Sequence, residues 1–177
     1  GTRGVLVALN VQNGEVLWRR DYKEEFDADG HSYGASAAPL VDGDLVIALV
    51  GGEPDAKVVA FDKWTGKEIW RALGSNEQRG VSPPIIINRG GKRQLIIWHP
   101  EAVVSLNPAT GEVYWEQPFH TQDGMNPTVP AVDGEHLMVS TFYSGSIMLS
   151  LDDTKPDMTV RWKSTSDSEI ETDTLHA

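Results

Sequence analysis

The stretch Ala60-Phe61-Asp62-Lys63-Trp64-Thr65-Gly66-Lys67-Glu68-Ile69-Trp70 decides the fold, because its pattern recurs along the chain. Upstream, Ala8-Leu9-Asn10 is followed by Gly14 and Trp18. Downstream, Ser105-Leu106-Asn107 is followed by Gly111 and Trp115. In every copy the small residue, the Asp or Asn, the Gly and the Trp keep the same offsets. A fourth, degenerate copy runs from Ser150-Leu151-Asp152 to Trp162, two residues longer and without the Gly. A repeat of this period, near 45–50 residues, is the signature of a propeller blade.

Each position has a physical reason. The residues before the small one (Val5-Leu6-Val7, Lys57-Val58-Val59, Ala102-Val103-Val104) are mostly apolar and β-branched, which suits a strand. The short Asp or Asn side chain can bond nearby backbone N–H groups and so ends that strand in a turn. The Gly permits a positive φ before the chain reverses. The returning strand carries the Trp, which can bury a large apolar area while its N–H finds a partner. The facing Ala8, Ala60 or Ser105 leaves room for an indole. Trp18, Trp70, Trp115 and Trp162, with Gly14, Gly66 and Gly111, are therefore expected to dock blade against blade rather than to do chemistry.

A second element precedes each Trp hairpin: Ser36 to Asp44 then Leu45-Val46-Ile47, Ser82 to Asn88 then Gln94 to Ile97, and Asn126 to Glu135 then Leu137-Met138-Val139. Each reads strand, Asp-Gly or Gly-Gly turn, strand. The expected architecture is all-β, a β-propeller of four-stranded antiparallel blades. Complete blades are expected at 21–71, 72–117 and 118–163, with 1–20 ending one blade and 164–177 beginning another. Prolines in or near the first strand of each blade fit an edge position that can spare an N–H.

These offsets resemble the tryptophan-docking motif of the PQQ-like repeat family, which includes quinoprotein alcohol dehydrogenases and the barrel-assembly lipoprotein of the bacterial outer membrane. The stretches Asp55 to Asp62 and Trp98-His99-Pro100 are similar to PQQ-like proteins of bacteria. The resemblance implies a ring of about eight blades. It implies export to the periplasm or beyond. Three blades cannot close such a ring, so the stretch is expected to be part of a longer chain needing further blades. No signal peptide is visible in it.

Composition narrows the function. The net charge is −11 with 15 Lys and Arg, and no basic cluster attracts a phosphate backbone, so nucleic acid is not an expected partner. No apolar run is long enough for a transmembrane segment. The chain has no cysteine, which excludes disulfides and thiolate sites within it. In the dehydrogenases that the repeat resembles, PQQ lies against a disulfide of adjacent cysteines and beside a Ca²⁺ shell. Neither cofactor is expected here except under the dehydrogenase alternative. Phosphate-loop, His-Glu-x-x-His and serine-elbow motifs are missing.

The connections between second and third strands, and those from blade to blade, share one face and vary most. Function tends to sit on such loops. The candidates there are His31, Tyr33, His99, Glu101, His120 and Tyr143, with residues 20–35 as the longest connection. Asp27-Ala28-Asp29-Gly30 matches only part of a calcium loop and reads as a solvated acidic segment. The leading expectation is a non-catalytic scaffold for an unidentified protein partner. The alternatives are a PQQ-dependent alcohol dehydrogenase and a metal-assisted hydrolase or lyase on the same platform.

Overall fold

The alternation of β-branched runs and Asp/Asn/Gly turns folds into fourteen strands in the computed structural model, which describes residues 4–28, 36–74, 79–124 and 126–165. They form three four-stranded antiparallel sheets and one hairpin. The hairpin pairs β1 (Val5–Leu9) with β2 (Val16–Asp21). The first sheet has the order β3 (Leu40–Asp42), β4 (Leu45–Gly52), β5 (Ala56–Asp62), β6 (Glu68–Ala72). The second runs β7 (Ile85–Arg89), β8 (Lys92–His99), β9 (Ala102–Leu106), β10 (Val113–Pro118). The third runs β11 (Ala131–Asp133), β12 (His136–Thr141), β13 (Gly145–Leu151), β14 (Met158–Lys163). Every strand pairs with its sequence neighbour, so each sheet is a meander with no crossover, as in propeller blades.

The chain divides into two compact units, Gly1–Arg79 and Gly80–Ala177. In the first unit the central strands β4 and β5 are buried almost end to end. Val59 and Phe61 of β5 belong to a core with Tyr22, Phe26, Ala28, Ala48 and Val50, against which Leu6 of the hairpin packs. Phe26 meets Phe61 edge-on at 5.8 Å. In the second unit Ile96, Trp98, Val103, Trp115 and Phe119 share one core with Leu137, Val139, Ile147 and Leu149 of the following sheet. Burial of both faces of the middle strands explains why they read as near-continuous apolar runs rather than alternating ones.

The structure departs from the sequence reading after β2. Residues 20–35 were expected to be one long connection. Instead Asp21 caps a short helix α1 (Tyr22–Phe26), its carboxylate accepting from the Glu24 N–H. The helix is tied to the turn after β4, where the Glu53 N–H donates to the Phe26 carbonyl at 2.8 Å. Tyr22 and Phe26 are the reason. Four residues apart on a helix they fall on one face, and both are buried.

Candidate functional site

The repeated turns come first, because they set every other element. In the turn after β5, Asp62 Oδ1 accepts from the Trp64 and Thr65 N–H groups at 3.1 and 2.8 Å and from the Thr65 hydroxyl at 2.8 Å. The Gly66 N–H closes the turn on the Asp62 carbonyl at 2.8 Å. The Asn10 and Asn107 turns repeat the scheme, with Gly14 and Gly111 donating back to their carbonyls at 2.8 and 2.9 Å. All three glycines have positive φ, between 69° and 76°. The Thr65 hydroxyl and the backbone donors hold the Asp62 carboxyl below its ordinary value of 3.8. The Thr154 hydroxyl does the same for Asp152.

The small residue then faces the Trp. Ala8 is opposite Trp18, Ala60 opposite Trp70 and Ser105 opposite Trp115. Each hairpin has a register shift at or beside this pair. The indole of Trp18 reaches the next sheet within its unit, where its N–H donates to the Lys63 carbonyl at 2.9 Å. A Cβ added to Gly66 would come within 2.6 Å of that ring, so the indole lies directly on the glycine. Arg20 clamps the same turn, its Nε donating to the Gly66 carbonyl at 2.6 Å while its Nη1 pairs with Glu25 at 2.7 Å. Gly14 has nothing within 4 Å of its added Cβ.

Trp70 and Trp115 are both buried, at 7% exposure. Trp115 uses a different partner. Its N–H donates to Gln94 Oε1 on its own sheet at 3.0 Å, and the Ser105 hydroxyl donates to the same oxygen at 2.7 Å. Gln94 Nε2 donates to the Arg89 carbonyl, so this fully buried amide is satisfied at both ends. Trp162 differs again. It is opposite Met148, not Ser150, because the longer 152–157 turn displaces the register shift along the strand. It is half-buried.

The loop-face candidates separate into several fates. His31 and Tyr33 lie outside the described residues, as do Asp29 and Gly30. His99, a candidate of the loop face, ends β8 and is 5% exposed. Its Nδ1 sits 3.4 Å from the Glu101 N–H and 3.3 Å from the Glu101 carboxylate. A neutral ring accepts from the former, and a protonated ring pairs with the latter. His120 is exposed, on a segment pinned to the β8–β9 turn. There the Phe119 N–H donates to the Glu101 carbonyl at 2.8 Å and the Thr121 N–H to the Pro100 carbonyl at 2.7 Å. One residue on, the Gln122 N–H donates to Ser144 Oγ in the β12–β13 turn at 2.9 Å. Tyr143 in that turn is 46% exposed and stands edge-on to Phe142, 43% exposed, at 4.7 Å. So the structure brings Glu101, His120 and Tyr143 to one face of the second unit, on loops braced by two backbone bonds and by the Ser144 hydroxyl.

Some residues of this face escaped the sequence reading. Asn126 is fully buried, accepts from the Val81 N–H at 3.0 Å and donates to the Trp98 carbonyl at 2.6 Å. Ser82 donates to the Thr128 carbonyl at 2.8 Å. The one signal for this pair was the placing of Ser82 and Asn126 before a proline at the start of successive blades. Trp98 is stacked near Phe119, and its indole N–H and the Thr121 hydroxyl are buried without a hydrogen-bond partner in the structure.

In the first unit, burial pushes the Tyr22 hydroxyl up to about 12, with Arg79 opposing the shift. Arg79 Nη1 donates to the Val50 carbonyl at 2.7 Å. Among the described residues no three His, Cys, Asp or Glu side chains come close enough together to hold a metal ion. No helix among them is long and apolar enough to cross a membrane.

Comparison with known proteins agrees with this geometry. Residues 1–177 match the model of a family described as outer membrane protein assembly factor BamB. Among curated proteins, the quinoprotein ethanol dehydrogenase of Pseudomonas aeruginosa is 26% identical over 126 residues, 64% of this chain. The chain spans 20% of that relative's length. Among solved structures, BamB from Moraxella catarrhalis superposes with a TM-score of 0.64 at 18% identity, covering 93% of this chain and 47% of that one. The quinohemoprotein alcohol dehydrogenase from Comamonas testosteroni gives 0.57 at 16% identity, covering 92% and 32%.

Proposed function

Because the chain belongs to the PQQ-like β-propeller family described as outer membrane protein assembly factor BamB, we propose that it is a non-catalytic scaffold that binds another protein. The observation that carries this reading is the exposed Phe142–Tyr143 pair, held on a turn that the Gln122–Ser144 bond braces. Aromatic side chains presented on a rigid support are what protein interfaces use, since little rotamer freedom is lost when they are covered. The repeated Trp, Gly, Asp and Asn residues are engaged in packing and turns, which leaves recognition to the loops. Trp18, Trp70, Trp115 and Trp162 act, on this reading, as structural docking groups. The scaffold works outside the cytoplasm, as the family description implies.

A second reading is favoured by one finding, the 26% identity to a quinoprotein ethanol dehydrogenase. It makes the chain one portion of a PQQ-dependent alcohol dehydrogenase.

A photo-crosslinking residue at Tyr143 in the full-length protein, expressed in its own host, separates the two. The scaffold reading expects one discrete adduct that Phe142→Ser removes. Saturable PQQ binding with Ca²⁺ by calorimetry, together with dye-linked alcohol oxidation, would overturn it.

A further inference from the structure

The turn between β1 and β2 differs from its repeats at one chemically distinct residue. The residue before the turn glycine is Thr65 in the first sheet and Thr110 in the second, but Asn13 in the hairpin. All three hold the turn in the same way. The Thr65 and Thr110 hydroxyls accept from the N–H two residues on, Lys67 at 3.2 Å and Glu112 at 3.3 Å. Asn13 Oδ1 takes that role in the hairpin, accepting from the Glu15 N–H at 3.1 Å. A threonine side chain in this place is inert. An asparagine is not, because the next main-chain nitrogen can attack its side-chain carbon, and a following glycine has no Cβ to crowd the attack. Asn13 is the one asparagine of the chain that glycine follows.

The position is open to solvent. Asn13 and Gly14 are exposed, and nothing lies within 4 Å of a Cβ added to Gly14. That exposure belongs to the repeat. Thr65 and Thr110 are exposed although Gly66 and Gly111 beside them are buried, so an indole laid on Gly14 would still leave Asn13 open. Glu15 holds both ends of the amide, its N–H on Oδ1 and its carboxylate accepting from Nδ2 at 2.8 Å. The N–H donates to the oxygen on which negative charge develops during attack. One bond opposes the chemistry. The Gly14 N–H is held by the Asn10 carbonyl at 2.8 Å and has to be released first.

We infer that Asn13 is a site of spontaneous deamidation, which converts this turn to an acidic and looser one as the protein ages. Hydroxide removes the Gly14 amide proton, and the nitrogen forms a bond to Asn13 Cγ. The Cγ–Nδ2 bond breaks, and Nδ2 leaves as ammonia with a proton from water, which returns the hydroxide. Water then opens the cyclic imide at either carbonyl, leaving aspartate or isoaspartate. Both place a carboxylate beside Glu15 where the Nδ2 donor had been, so attraction becomes repulsion. Isoaspartate also adds a methylene to the main chain, which breaks the reach of Gly14 to the Asn10 carbonyl. Trp18 follows on the same hairpin, so its seat on Gly66 loosens with the turn.

The test is storage of the full chain at mildly alkaline pH and body temperature, followed by peptide mapping by mass spectrometry and by enzymatic methyl labelling of isoaspartate. A synthetic peptide of residues 10–17 serves as the unfolded reference. The expected result is acid at position 13 and at no other asparagine, formed at a rate proportional to hydroxide. Aspartates that precede glycine lose water instead of ammonia and keep their mass, so the mass change separates Asn13 from them. Asn13→Thr restores the residue of the other two turns and should fold like the parent and gain no label there. The stored parent should show a lower urea midpoint and faster amide exchange over residues 5–21 than the fresh parent, while stored Asn13→Thr should match its fresh sample. An amide that survives in the folded chain while the peptide converts would overturn the inference, since the Asn10 bond then protects the turn. So would a rate indifferent to pH, or a converted chain as stable as the fresh one.

Discussion

Trp18 and Trp115 stand at the same offset in their repeats, and each faces a small residue across its hairpin, yet their N–H groups are satisfied in different ways. Trp18 reaches out to a backbone carbonyl of the next sheet, Lys63, and lays its ring on Gly66. Trp115 turns to its own sheet and bonds the buried amide of Gln94. The difference follows from the turn that each would meet next. The Asp62–Gly66 turn has a glycine with room for an indole face. The 152–157 turn has no glycine, is two residues longer, and carries Pro156 and Lys155 instead. A backbone carbonyl cannot be mutated away, so the Trp18 junction depends on shape. The Trp115 junction depends on one replaceable side chain.

That contrast can be broken at several points, and truncation of the two tryptophans has the largest expected effect. Trp115→Ala should cost about 3–5 kcal/mol, since a nearly fully buried indole leaves a cavity. Trp18→Ala, at a half-buried site, should cost about 2 kcal/mol. Urea denaturation of the two variants checks the order, and equal losses would remove the distinction drawn between the junctions.

Next in size are the glycines. Gly66 and Gly14 share a left-handed φ of +69° and +74°, the same turn bonds and the same offsets. They differ in the indole that covers one and not the other. Gly14→Ala should therefore lose only the left-handed penalty, about 1–2 kcal/mol. Gly66→Ala should lose about 1–3 kcal/mol more, because its Cβ collides with Trp18. In a Trp18→Ala background the extra loss should disappear, and its persistence would refute the docking role.

Gln94→Leu probes the other junction. It strands the Trp115 N–H and the Ser105 hydroxyl in the core, which should cost about 1–3 kcal/mol. The additional change Ser105→Ala should recover part of that loss, as a double-mutant cycle would read directly. Strict additivity would mean that the two side chains do not share the amide.

The smallest effect concerns the turns themselves. Asp62 and Asp152 have carboxyls held below their ordinary values by hydroxyl and backbone donors, whereas Asn10 and Asn107 do not titrate. A carboxyl whose folded-state pKa is depressed stabilises the fold above its unfolded value of 3.8. That stabilisation is lost as pH falls through the folded value. Asp62→Asn should therefore flatten the acid limb of the urea midpoint below pH 3.8 and leave neutral pH nearly unchanged. An unaltered acid limb would show that the turn bonds formed by Asp62 do not contribute to stability.

Much of the fold was legible because its signals are local. Strand, Asx turn, left-handed glycine and facing small residue all lie within about ten positions, where spacing translates directly into geometry. The candidate loop face was less legible. Glu101, His120 and Tyr143 do reach one face, because sheet meanders alternate their turns between two ends. His99 is buried at the end of its strand. It is the last residue of β8, and Trp98 beside it draws that strand end into the core. The helix α1 was missed because five residues are too few to show helical periodicity, and its stability comes from Tyr22 and Phe26 finding the core.

The sequence by itself determined the repeat, the antiparallel meander of each sheet and the small residue that faces Trp18, Trp70 and Trp115, since an Asx turn closed by a left-handed glycine fixes the offset across each of those hairpins. Tertiary structure alone decided which partner each indole N–H takes. It also decided that Trp162 faces Met148 and not Ser150, and that Arg89 comes to lie in a groove beside a turn more than sixty residues away. Trp18 and Arg89 take neighbours from a different blade, whereas Trp115 and Trp162 meet residues of their own sheet that lie outside the repeated motif. No spacing within one repeat encodes what the next repeat will place against it.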